Sequence, residues 1–88
     1  MNALEGLDVW RRNRNMAVQI CTVFARCRDY GFKDLITRTA VSIPSNIAEG
    51  FERNSKNDFI MYLKIVRGFC AEVRTQLYIA EEIKYIHL

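Results

Sequence analysis

Eight cations recur at spacings that place them along helix faces: Arg11, Arg12, Arg14, Arg26 and Arg28 in the first third of the chain, and Lys64, Arg67 and Arg74 in the last. Guanidinium and ammonium groups set out in rows suit phosphate oxygens, so these eight are the candidate nucleic-acid-binding residues. A solvated helix face gives the same pattern, and the two readings stay side by side at this point. A second constellation, Arg38, Ser42, Pro44, Ser45, Asn46, Glu49 and Arg53, gives one helix a polar stripe opposite Ile36, Ala40, Ile43, Ile47 and Phe51. The stripe reads as structural, with Ser42 and Ser45 satisfying backbone groups loosened by Pro44 and Glu49 pairing with Arg53, or as a contact for a subunit or polar ligand.

Other chemistry has little material. The one histidine, His87, stands next to the last residue, a poor place for a general base or metal ligand. Glu49, Glu52, Glu72, Glu81 and Glu82 are scattered without an ExxH pair, so no metal site is expected, and there is no GxSxG, Walker A or GxGxxG segment. The expectation is a protein that is not an enzyme, with no catalytic residues, no cofactor and no small-molecule substrate. Cys21, Cys27 and Cys70 form no CxxC and lie on or beside apolar positions, which reads as reduced core thiols in a cytoplasmic protein.

The formal charge of +3, from 13 basic and 10 acidic residues, is a mild bias that does not by itself single out nucleic acid. The excess is local: residues 1–30 carry five Arg against Glu5, Asp8 and Asp29, whereas residues 31–54 balance. At 88 residues, half of them hydrophobic, the chain is expected to be one domain with more apolar surface than one small bundle hides, which points to self-association. No apolar stretch approaches a membrane span or the core of a signal peptide.

Three helices must position these residues. Val9, Met16, Ile20, Val23 and Cys27 recur at helical spacing over about 7–29, with Tyr30-Gly31 expected to stop that helix. Ile36, Ala40, Ile43, Ile47 and Phe51 predict a second helix over about 33–53, kinked at Pro44 or restarting from Ser42 or Ile43. Ser55-Lys56-Asn57-Asp58 has the form of a capping box and opens a third over about 56–83, in which Leu63, Val66, Cys70, Val73, Leu77 and Ala80 alternate three and four apart. Gly50 and Gly68 read as close-packing or kink positions, and the ending Ile83-Lys84-Tyr85-Ile86-His87-Leu88 shows no cap and looks cut short. The fold class is all-α, a helical bundle occupying 1–88.

The stretch Thr39-Ala40-Val41-Ser42-Ile43-Pro44-Ser45-Asn46-Ile47-Ala48-Glu49-Gly50-Phe51-Glu52-Arg53 resembles the signature of the bacterial four-helix-bundle family of 23S rRNA intervening-sequence proteins. Leu7-Asp8-Val9-Trp10 looks like that family's opening helix, and Arg67-Gly68, Ala71-Glu72, Thr75-Gln76-Leu77 and Ile79-Ala80-Glu81-Glu82 look like its third. The resemblance implies an antiparallel up-down bundle of four-helix type, a kinked rather than broken second helix, a ring-like pentamer and no established catalytic activity. The chain departs from the pattern at Asn13 and Phe69, where small residues are usual, and in lacking a fourth helix. The function this implies is a non-enzymatic, cytoplasmic homo-oligomer that binds RNA or another nucleic acid. The alternatives are a protein-protein scaffold module or a truncated copy without activity.

Overall fold

The computed structural model describes residues 3–87 and contains three α-helices, α1 (Asp8–Val23), α2 (Tyr30–Glu52) and α3 (Lys56–Glu82), with no strand among the described residues. The hydrophobic spacing of all three is that of helices with one buried face. On α2 the side chains of Ile36, Ala40, Ile43 and Ile47 are wholly buried. They form one core with Ala17, Ile20 and Phe24 from the first segment and Val66, Val73 and Ala80 from α3.

Both outer helices pack on α2, yet the backbones of α1 and α3 nowhere bring Cα atoms within 8 Å of each other. Phe51 meets Phe59 with ring centroids 6.0 Å apart, Gln76 reaches Thr39 at 3.3 Å, and Phe32 meets Tyr85 at 5.4 Å. Flanking their buried positions, α1 and α3 keep apolar rows at seven-residue spacing, Val9, Met16 and Val23 on one and Leu63, Cys70 and Leu77 on the other, of which Met16, Leu63, Cys70 and Leu77 pack against the core. Val23 is 60% exposed, and Met16, Leu63, Cys70 and Leu77 are half-buried.

Three local expectations change, and of the two readings left open at Pro44 the restart falls. The first helix ends at Val23, not near residue 29, and Tyr30-Gly31 opens α2 instead of closing α1. The cause is Asp29, whose Oδ1 accepts the Phe32 amide at 3.0 Å and caps α2, while Lys33 Nζ holds the Ala25 carbonyl at 2.8 Å across the connection. The second helix does not restart near Ser42: it runs unbroken through Pro44. An interior proline costs about 3 kcal/mol. Burying an isoleucine contributes about 1.5–3 kcal/mol, so Ile36, Ile43 and Ile47 together outweigh it.

The end of α3 is capped after all. Lys84 adopts φ 65°, its amide bonds the Glu81 carbonyl at 3.0 Å, and the Tyr85 amide reaches back to Ala80 at 2.8 Å. These two bonds are the Schellman closure of a helix, formed here with lysine at the left-handed position where glycine is usual. Finally, Gly68 is not a packing position: a Cβ there would have nothing within 4 Å, whereas one at Gly50 would lie 2.5 Å from Tyr62 Cβ. The expected cap at the start of α3 is present, with Ser55 Oγ accepting the Asp58 amide at 3.3 Å.

Candidate nucleic-acid interface

The eight candidate cations do not converge on one patch, and they differ in how firmly they are held. Arg11 is engaged by Asp8 in the first turn of α1. Arg14 lies 5.9 Å over the Trp10 ring and donates to Asn15 Oδ1 at 3.1 Å. Arg12, Arg26, Arg28, Lys64, Arg67 and Arg74 are exposed and have no ion pair, hydrogen bond or ring contact among the described residues. Arg67 and Arg74 stand three and four residues from Leu63, Cys70 and Leu77, so they border the apolar row of α3 on its open side. Seven residues of helix separate them by about 10 Å, roughly the axial rise of three nucleotides along one strand. Glu81, seven further on, ends the row.

The polar stripe of α2 is partly assembled as read from its residues. Ser42 Oγ donates to the Arg38 carbonyl at 2.8 Å and Asn46 Nδ2 to the Ser42 carbonyl at 2.7 Å, so two side chains brace the backbone around Pro44. Ser45 is exposed and takes no part in that bracing. Pro44 itself is buried and lies off the stripe, sharing an apolar groove with Ala17, Val18 and Cys21 of α1. Arg38 pairs with Asp34 at 3.2 Å, and Glu49 with Arg53 at 3.7 Å. Both pairs are exposed and contribute little, about 0.2–1 kcal/mol each.

The Glu49 and Arg53 pair is organised by a residue that the sequence reading passed over. Tyr62 accepts from Arg53 Nη2 at 2.8 Å, donates to Glu49 Oε1 at 3.1 Å, and sets its ring 5.4 Å under the Arg53 guanidinium. The tyrosine, first and foremost, favours the charged form of Arg53 and raises its already high pKa. Tyr62 reaches this position because Gly50 leaves room for its Cβ. The signal was present as Gly50 within a helix, which calls for a large neighbour, but nothing in the spacing names which one. Thr39 and Gln76 form a second missed pair: both are shielded, and Gln76 Oε1 is buried with no partner among the described residues.

At the opposite end of the molecule the connection between α1 and α2 meets the residues after α3. Asp29 Oδ2 accepts the Tyr85 hydroxyl at 2.7 Å while Oδ1 holds the Phe32 amide. The amide bond, and then the tyrosine, hold the Asp29 carboxyl below its ordinary pKa of 3.8, and the same carboxylate raises Tyr85 above 10.0. A concavity of about 470 Å³ opens beside this pair, lined by Arg26, Arg28 and Lys84 among others. Lys84 lay outside the sequence-derived cation set because nothing local shows that the tail returns to the α1–α2 connection.

Cys21, Cys27 and Cys70 are free thiols, each half-buried. His87 is exposed, and no group of three His, Cys, Asp or Glu side chains among the described residues is close enough to hold a metal. None of the described helices is long and apolar enough to cross a membrane. No curated protein and no solved structure matches the chain. The family model of the 23S rRNA-intervening sequence protein matches residues 5–88, the whole span over which these helices and their connections lie, and the chain belongs to that family.

Proposed function

We propose that the protein is a non-enzymatic, cytoplasmic helical-bundle module that self-associates and binds RNA or another nucleic acid through its phosphates. The observation that carries this reading is the set of exposed cations left without an intramolecular partner, Arg12, Arg26, Arg28, Lys64, Arg67 and Arg74. Charges already neutralised by neighbours add little to a phosphate contact, whereas free ones release counterions when they bind. One protomer of net charge +3 makes few such contacts. An assembly repeats them, and simultaneous contacts give an affinity that single ones do not.

The architecture supports association. The pairings Phe51 with Phe59, Thr39 with Gln76 and Phe32 with Tyr85 suit helices that run up, down and up, antiparallel in sequence order. α1 and α3, each against α2 and apart from one another, stand as three corners of a four-helix square do. The apolar rows on α1 and α3 then face the fourth corner, and a further copy covering them makes a homo-oligomer, a pentamer on the family resemblance. A second reading, a protein-protein scaffold without nucleic acid, is favoured by those same rows.

Salt separates the two, since phosphate contacts weaken steeply with ionic strength and apolar association does not. The test is size-exclusion chromatography with light scattering, recording absorbance at 260 and 280 nm in low and high salt. A discrete oligomer that carries 260 nm absorbance and sheds it in high salt is expected. The double variant Arg67→Glu, Arg74→Glu should lose retention on RNA with its helicity intact; unchanged retention would sink the nucleic-acid reading.

A further inference from the structure

We infer that the concavity between the α1–α2 connection and the tail of α3 is a receptor for a phosphate monoester group, the end of a nucleic-acid strand or a free nucleotide. The inference rests on the phosphate-binding reading above but concerns one concave site rather than a charged surface. Three cations that no described residue neutralises, Arg26, Arg28 and Lys84, line one cavity of about 470 Å³. Four other concavities on the described surface lack such a set of three cations.

The charge of the site selects the class of phosphate. Asp29 is the one carboxylate lining the cavity, and its two oxygens are already committed to the Phe32 amide and the Tyr85 hydroxyl. Three cations and one committed carboxylate leave a surplus of two positive charges. A phosphate monoester carries about −1.5 to −2 at pH 7, and that charge matches the surplus. An internal phosphodiester carries one negative charge and a sugar on either side. Volume points the same way: about 470 Å³ lies within the range of sites that take a small organic ligand and exceeds what a bare phosphate fills. The Tyr85 ring, 40% exposed, supplies apolar wall for the sugar or base behind the phosphate.

The site is assembled from distant parts of the chain. Arg26 and Arg28 leave α1 on a connection whose far end is tied by the Asp29 cap, and Lys84 is delivered by its own left-handed backbone. The Tyr85 hydroxyl then ties the tail to Asp29, so the two cationic arms are fixed relative to each other before any ligand arrives. Preorganisation of this kind removes an ordering cost that a flexible surface would meet on binding.

The experiment uses fluorescence anisotropy and calorimetry on the full chain with three probes: a short RNA bearing a 5′-phosphate, the same RNA with a 5′-hydroxyl, and a nucleoside 5′-monophosphate. The phosphorylated strand should bind at least about tenfold more tightly than its hydroxyl counterpart. Lys84→Gly removes the cation while keeping the left-handed cap, so the preference should fall severalfold without loss of thermal stability; Arg28→Ala should do the same from the other arm. A mononucleotide that binds in a Lys84-dependent way, with neither RNA retained, would support the site and overturn the nucleic-acid reading. Equal binding of the two RNAs with no mononucleotide bound, or a preference indifferent to both substitutions, would overturn the site and leave salt-sensitive RNA retention standing.

Discussion

Gly50 and Gly68 occupy the same kind of position in sequence, glycines inside strongly periodic helices, yet they answer to opposite physics. Helix propensity alone favours alanine over glycine by about 1 kcal/mol. At Gly68, where an added methyl meets nothing within 4 Å, Gly68→Ala should realise that gain and raise the melting temperature by about 4–8 °C. At Gly50 the methyl would press on Tyr62 Cβ and Cγ, at 2.5 and 2.9 Å, and overpacking costs about 1–3 kcal/mol. Gly50→Ala should therefore lower the melting temperature and loosen the Arg53–Tyr62–Glu49 contacts, as calorimetry and tyrosine fluorescence would report. Asp29 and Tyr85 make a second prediction at this scale. Stability from the lowered Asp29 pKa is present above pH 3.8 and lost as pH falls through the folded value. Stability from the raised Tyr85 pKa is present below pH 10.0 and lost as pH rises through its folded value. Urea midpoints against pH should thus fall at both limbs, with Asp29→Asn flattening the acid limb and Tyr85→Phe the alkaline one.

The ends of the helices show how much of the fold was legible in the residues. Where a signal is local, as in Ser55-Lys56-Asn57-Asp58 or the three-and-four spacing of Val66, Cys70, Val73, Leu77 and Ala80, it emerged at its place. The misreadings share one cause. Tyr30-Gly31 has the form of a helix stop, but Asp29 with the amide of Phe32 makes a helix start, and a formed cap outweighs a residue that merely permits a break. Ile83-Lys84-Tyr85 has no glycine, so its closure becomes visible only when the Tyr85 ring is seen against Phe32 and its hydroxyl on Asp29. The candidate cations were legible as residue types; that Lys84 joins Arg26 and Arg28 was not, because their meeting depends on how the tail returns. Two helix ends use non-glycine residues at positive φ, Asn54 at 53° and Lys84 at 65°. Asparagine adopts that conformation at less cost than lysine, so Lys84→Gly should stabilise by about 1 kcal/mol and Asn54→Gly by only a few tenths. Matched thermal melts of the two variants check this ordering.

For the molecule as a whole, the proposed self-association rests on the apolar rows that flank the core on α1 and α3. With Val9 and Val23 exposed and Met16, Leu63, Cys70 and Leu77 half-buried against the core, charges at the two exposed valines should dissociate the proposed assembly without unfolding the protomer. Sedimentation velocity of Val9→Lys, Val23→Lys should show a single small species where the parent shows a larger one, at unchanged helical circular dichroism. A parent that already runs as a monomer at micromolar concentration would remove the oligomeric reading.

The separation of α1 from α3 has a kinetic meaning. Among the described residues every helix-to-helix contact runs through α2, with the tail's Tyr85 tied separately to Asp29, so no pairing has to wait for the first helix to find the third. Such a topology holds its contacts close in sequence, and domains of that kind reach their folded state in microseconds to milliseconds. The two helix pairs can form independently, and changes in α1 and α3 should then act on the unfolding rate without influencing one another. A strand emerging during synthesis would have α1 and α2 clasped before α3 is complete, with the apolar row of α1 already presented to whatever chain is being made beside it.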